Sequence, residues 1–346
     1  MSRKSRLAES RVRRLAKRVV AAGLRAVLRC SGRRAGVALL YHGIDDRPEH
    51  PRDVLVPRVR SRLFEEHVEH LRRRYEVVTA SELPAAVARR RRGRRFPVAI
   101  TFDDEHHRNR SVAAPTLERA GLRATFYLTG FSMSEPRRFW WERLQAAYDE
   151  ELVDESLLSS MPAPVARAAR TGSIRDTGDA VTQLPPAQRL MVWRALGERV
   201  GPDPEESGMR REDIRALAVA GHEIGFHTLS HDFLPLLDQE ALEAAMVDGR
   251  DDLAAAAGAP LTTLAYPSGG VDDRVATAAR QAGFRFAYTT EHIPVNVASD
   301  SWRLGRISIP YGNVDQLALN IARTLARRPP VEEAPRTAGS PRPAWA

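Results

Sequence analysis

Cysteine is almost absent from this 346-residue chain, in which Cys30 stands alone. A lone thiol excludes both an intramolecular disulfide framework and a cysteine-rich zinc site, so any metal must be held by histidine and carboxylate. Long apolar runs are missing as well. Near the start, the stretch 19–28 is interrupted by Arg25, which makes it too short for a membrane span and a poor signal-peptide core. With no clear signal peptide, a cytoplasmic or membrane-peripheral location is expected. Lysine is scarce, so the basic set, which exceeds the acidic set by 53 to 44, is nearly all arginine. Much of the excess lies in residues 3–34 and 89–95 (RRRRGRR). Neither cluster adjoins aromatic platforms or a recognisable reading helix, which argues against nucleic acid as a partner. The second cluster reads as a solvated helix end and loop.

What remains has the size of one α/β barrel with extensions. Residues 1–35 form a basic segment. It reads either as an amphipathic helix making peripheral contact with an anionic membrane surface or as a loosely docked tail. Residues 326–346 are proline-rich and lack a period, which reads as disorder. Between them, VALLYH and YEVVTA read as buried strands, and SRLFEEHVEHLRRR as a helix behind a capping Ser61. His67 and His70 are expected on that helix's surface and boundary. SVAAPTLERAG and ATFYLTG continue the alternation of helix and strand, which argues for a mainly parallel sheet over 36–325. Residues 137–207 break the rhythm. Phe139, Trp140, Trp141, Leu144 and Ala147 give this helical insertion one apolar face, read as padding the barrel's flank in preference to covering its mouth.

The chemistry concentrates in PVAITFDDEHHRN, residues 97–109. A β-branched, apolar run ends in Asp103 and Asp104, and carboxylates at the carboxyl ends of parallel strands are well placed for metal or acid/base work. Asp as a simple turn former is the alternative. HEIGF is a later strand, and it runs into His227-Thr228-Leu229-Ser230-His231. On an extended strand these two histidines would lie about 13 Å apart, so the chain must coil after Phe226 if both are to bind one ion at roughly 2.1 Å. Two histidines and a carboxylate then make a candidate metal set.

TFDD at 101–104, ATFYLTG after it and GHEIGFHTLSH at 221–231 resemble the polysaccharide deacetylase family, carbohydrate esterase family 4, over about residues 36–312. The resemblance implies a distorted β/α barrel that holds a divalent metal, usually zinc, and removes N-acetyl or O-acetyl groups from carbohydrate. It implies Asp103 as general base and Asp104, His227 and His231 as ligands. The family's third motif is echoed by Ala265-Tyr266-Pro267-Ser268-Gly269, with Tyr266 and Ser268 as candidate substrate or oxyanion residues. The Arg of that motif is missing, leaving the base without its usual partner. No family-type histidine follows residue 300. Members of circularly permuted type carry the general acid in a Tyr-His stretch near the domain start, and Tyr41-His42 looks like it. His42 is therefore preferred to His292. Glu105 replaces the family's usual Gly, and His106 and His107 are expected as loop residues outside the metal set. The competing readings are a catalytically inactive carbohydrate-binding relative and a membrane-surface structural protein.

Overall fold

The computed structural model describes residues 3–46, 54–56, 58–309 and 313–327. The tail from residue 328 onward lies outside them. Nine strands form the main sheet: β1 (Ala35–Tyr41), β2 (Glu76–Val78), β3 (Pro97–Asp103), β4 (Thr125–Leu128), β5 (Glu223–Phe226), β6 (Thr263–Ala265), β7 (Phe286–Tyr288), β8 (Val295–Asn296) and β9 (Arg306–Ser308). Their order is β8-β1-β3-β4-β5-β6-β7, with β9 also on β1 and β2 on β3. Every pairing is parallel except that of β8 with β1. A bridge from Tyr288 to Leu304, two residues before β9, draws the far edge back toward β1. The result is the curled, barrel-type α/β sheet that the alternating pattern predicts. AGVALLY and PVAITFD are buried at every position, as strands covered on both faces must be.

Helices α1 (Arg3–Cys30), α2 (Ser61–Arg74), α3 (Leu83–Arg89) and α4 (Ala114–Arg119) precede the insertion. In α2 the apolar stripe is Phe64, His67, Val68 and Leu71, all buried. His67 is thus not on the surface as expected. It occupies a core position of the 3.6-residue repeat, with the Tyr41 hydroxyl 3.1 Å from its Nδ1, and burial lowers its pKa to about 4, so it stays neutral. Ser61 is not the cap either. Its N–H and hydroxyl both donate to the Asp46 carboxylate.

The RRRRGRR stretch also departs from expectation, because Arg90 is buried. Its guanidinium lies 3.6 Å from the centroid of the Phe96 ring and donates to the carbonyls of Arg29, Ser31, Arg33 and Arg94. A single planar fork thereby satisfies orphan carbonyls at the end of α1.

The insertion comprises α5 (Trp140–Asp149), α6 (Glu155–Ser159), α7 (Ala163–Ala169), α8 (Ile174–Thr182) and α9 (Pro186–Val200) around an apolar cluster of their own. After it come α10 (Arg211–Val219), α11 (Gln239–Val247), α12 (Arg250–Ala257), α13 (Asp273–Gln281) and α14 (Val314–Ala326). Helix α14 receives α1, through Ala21 against Ala318 and Leu319 and through Arg18 to Asp315 at 3.0 Å.

Gly225 on β5 pairs with Tyr127 on β4, and a Cβ there would lie 2.4 Å from the Tyr127 ring and 2.8 Å from Thr263 Oγ1. Gly225→Ala should therefore overpack the sheet and cost about 1–3 kcal/mol in urea unfolding. An unchanged midpoint would show that Tyr127 moves aside freely.

Candidate active site

Strand β3 ends at Asp103 and delivers two carboxylates in opposite roles. Arg306, fully buried on β9, grips Asp103 with Nη1 to Oδ1 at 2.6 Å and Nη2 to Oδ2 at 2.8 Å. Its Nε donates to Thr289 O at 3.0 Å, so the guanidinium is fixed on both edges. Burial opposes ionisation of Asp103, yet the Arg306 charge with the neighbouring His227 and His42 leaves its pKa below the usual carboxylate value. The third-motif position lacks an Arg, and this one takes its place from a different strand. Sequence reasoning missed it.

Asp104 faces the other way. Its backbone is left-handed, with φ 67°, and its buried Oδ1 has no hydrogen-bond partner in the protein. Burial and then the charges of Asp103, Glu105 and Glu142 push its pKa well up. Two imidazoles approach that oxygen, His227 Nε2 at 3.8 Å and His231 Nε2 at 3.7 Å. His227 Nδ1 sits 2.8 Å from the Ala265 carbonyl, which can only accept, so Nδ1 carries the proton and Nε2 offers its lone pair to Asp104's neighbourhood. The chain does coil after Phe226: Thr228 and His231 have φ of 58° and 49°, and the two rings lie 4.8 Å apart. Burial depresses the pKa of both histidines, holding them neutral as ligands must be. Donor atoms of Asp104, His227 and His231 all lie within 4.8 Å of one another. An orphaned carboxylate oxygen facing two neutral imidazoles fits a divalent cation.

His42, Asp103, Asp104, His227, His231 and Ser268 line one cavity of about 30 Å³. That is room for a water or two, or for an acetyl-sized group. Ser268, with φ 53°, joins Asp104, Thr228 and His231 among the non-glycine residues held left-handed at this site. The backbone carbonyl of His42 accepts from the fully buried Asn109 amide at 2.6 Å, and burial lowers the imidazole's pKa to about 4 against the pull of Asp103.

Tyr266, expected as a substrate or oxyanion residue, does not reach the cavity, and neither do His292 and Glu105. Tyr266 is fully buried, with its hydroxyl donating to Trp302 O and its N–H to Tyr288 O, so neither group is free to meet a substrate. His292 accepts from Ser308 N on the outer side of β9. Glu105 turns inward to Thr129, where its pKa is raised to about 7 by burial. His106 pairs with Glu142 at 3.4 Å and borders, with His107, a separate groove.

The insertion does not merely pad the flank. Trp140, Trp141, Thr182 and Arg189 supply one wall of the cavity, and the Trp141 ring lies 4.6 Å from that of His231. Arg189 on α9 pairs with Asp232, the residue after His231, which ties the cover to the histidine loop. Trp140, Trp141 and Arg189 also border a second, mostly apolar hollow of about 340 Å³ with Phe131, Phe139 and Trp193.

Replacing Arg306 by Met should strand a buried carboxylate and cost about 3–5 kcal/mol in urea unfolding, whereas adding Asp103→Asn to that variant should recover much of the loss. Additive losses in the double variant would mean that the two side chains are not coupled.

The sequence profile of the polysaccharide deacetylase family matches residues 191–287, which carry His227, His231, Tyr266 and Ser268. No curated protein sequence matches the chain. Among solved structures, a Streptococcus pyogenes deacetylase, PplD, in complex with acetate superposes with a TM-score of 0.57 at 16% identity, covering 83% of this chain and 98% of that one. IcaB from Ammonifex degensii follows at 0.53 and 17%, covering 83% and 97%. A de-N-acetylase from Aggregatibacter actinomycetemcomitans gives 0.53 and 15%, covering 82% and 99%. Residues 191–287 thus resemble the polysaccharide deacetylase family in sequence, and the chain shares the barrel-type fold of these solved deacetylases.

Proposed function

We propose that the protein is a metal-dependent hydrolase that removes an acetyl group, from nitrogen or from oxygen, on a carbohydrate such as an N-acetylhexosamine-containing glycan. The observation that carries the proposal is the buried Oδ1 of Asp104, without a protein partner and within 4 Å of two imidazole Nε2 atoms, one residue from a carboxylate clamped by arginine. Asp104, His227 and His231 would hold the ion. A divalent cation there, with zinc favoured by the nitrogen and oxygen donors, supplies Lewis-acid polarisation of an acyl oxygen and lowers the pKa of water.

The chain's own residues do the rest. Asp103 is kept ionised by Arg306 and takes the proton of an attacking water. The small cavity admits the acetyl group and leaves the sugar toward the insertion, where Trp141 and Arg189 exclude bulk water. His42 is neutral at rest, and negative charge developing in the cavity raises its affinity for a proton. The proton that Asp103 takes from water therefore passes to His42, which gives it to the departing sugar nitrogen and leaves both groups as they began. Acetate and a free amine result.

Purified protein should carry about one divalent ion per chain, and His231→Ala should lose it. Asp103→Asn should keep the ion and lose most turnover, because an amide cannot accept the proton. Metal content by elemental analysis and acetate release separate these outcomes. Turnover that persists in Asp103→Asn would remove Asp103 from its role. A glycan-binding module, by contrast, would keep its glycan after chelation and release no acetate. His42→Ala should lower kcat about 10²- to 10⁴-fold on an N-acetyl substrate yet spare an activated aryl ester, whose leaving group departs without a proton. Equal losses on both substrates would reassign His42 to a structural role.

A further inference from the structure

Helix α1 is docked with the wrong face outward for a helix in water. Ala21, Leu24 and Leu28 turn toward the protein, Ala21 against Ala318 and Leu319 of α14, and Leu28 against the barrel core. The opposite face should be polar. Instead it presents Leu15, Ala16, Val19, Val20, Ala22, Gly23, Ala26, Val27 and Cys30, every one of them exposed. At 100° per residue these nine positions fill an unbroken arc of about 160° that contains no charge and no hydrogen-bonding side chain beyond a thiol. Leu15 is 60% exposed, Val19 62%, Val20 53% and Val27 70%. They make up four of the large hydrophobics found exposed among the described residues.

The charges are confined to the edges of the arc. Arg18, Arg25 and Arg29 run along one side, and Lys17 stands on the other. Arg18 is held there by Asp315, and Arg29 by the carbonyl of Gly93 at 2.6 Å, so the cationic edge is fixed relative to the body of the protein. The carbonyls that end the helix are in turn gripped by Arg90. An apolar face rimmed by cations on a rigidly docked helix matches the boundary between headgroups and acyl chains of an anionic bilayer. There the arc sinks into the apolar layer and the arginines meet phosphate. No helix among the described residues is long and apolar enough to cross a membrane, so the contact would be in the plane of the surface.

We infer that the outward face of α1, centred on Leu15, Val19 and Val27, binds the surface of an anionic lipid bilayer. The inference does not depend on the deacetylase reading, because vesicle binding and acetate release are measured separately.

The full chain is tested by sedimentation with vesicles of phosphatidylcholine alone and of phosphatidylcholine with phosphatidylglycerol. It should pellet with the anionic vesicles only, and less as salt is raised from about 0.1 to 0.5 M. Val19→Asp with Val27→Asp should weaken that binding at least about tenfold. The circular dichroism spectrum and melting point should stay as they were, since both side chains are more than half exposed. Val19→Leu with Val27→Leu should bind at least as well as the unmodified chain. Failure of the full chain to pellet, or equal pelleting of the Asp pair, would overturn the inference. So would a dimer in lipid-free solution that the Asp pair dissociates, because the face would then belong to self-association.

Discussion

Asp103, Asp104 and Glu105 are buried, Glu142 is partly so, the charges of the other three bear on Asp104, and the architecture of the candidate site depends on making that charge tolerable. Isolated buried anions are too costly to persist, so each must be paired, protonated or bound to a cation. The four side chains meet this demand in different ways. Asp103 is paired with Arg306. Glu105 sits among hydrogen-bond donors from Thr129, Gly130 and Ser132, with a pKa near 7 that lets it carry a proton at little cost. Glu142 accepts from Phe139 N at the start of α5 and meets His106. Asp104 Oδ1 and Glu105 Oε1 are both left without a hydrogen-bond partner, and it is on the Asp104 oxygen that two imidazole Nε2 atoms converge. The position of the candidate metal follows from this accounting as much as from any motif.

Much of the site could be read from the chain because strand ends are legible. PVAITFD is fully apolar until it stops at two carboxylates, and VALLY stops at His42 in the same manner, so both side chains had to project at one end of a parallel sheet. The His227 and His231 pair required a coil after Phe226, which the left-handed backbone at Thr228 and His231 provides. Arg306 was not legible. It is one arginine among dozens, on a three-residue strand with no distinguishing neighbours, and the expected place for such a residue was the stretch 263–269. What identifies it is burial and a bidentate contact, which appear only when the sheet has curled.

The other departures have a common cause. Residue type alone suggests a place for a polar or aromatic residue at helical spacing, whereas the fold places it by face. His67 lies on the same stripe as Phe64 and Leu71, and is therefore core. Trp140 and Trp141 head a helix whose apolar face must cover its own cluster, yet its first turn also overhangs the histidine loop. One stretch thus does both of the jobs that the sequence presented as alternatives. Arg90 is a further case: within a run of arginines it looks solvated, and only the convergence of four carbonyls on its guanidinium reveals a structural bolt.

The span between Asp103 and Arg306 also sets an order of events in time. Their contact joins positions 203 residues apart. At about 5–20 residues per second of synthesis, the arginine is made roughly 10 to 40 s after the carboxylate. Throughout that interval the carboxyl end of β3 must stay hydrated or protonated, because its counter-charge does not yet exist. A nascent chain can assemble β1 through β7 and still have a wet centre. The last short strand dries it, so the barrel gains a buried, ionised carboxylate only at the step that completes its sheet.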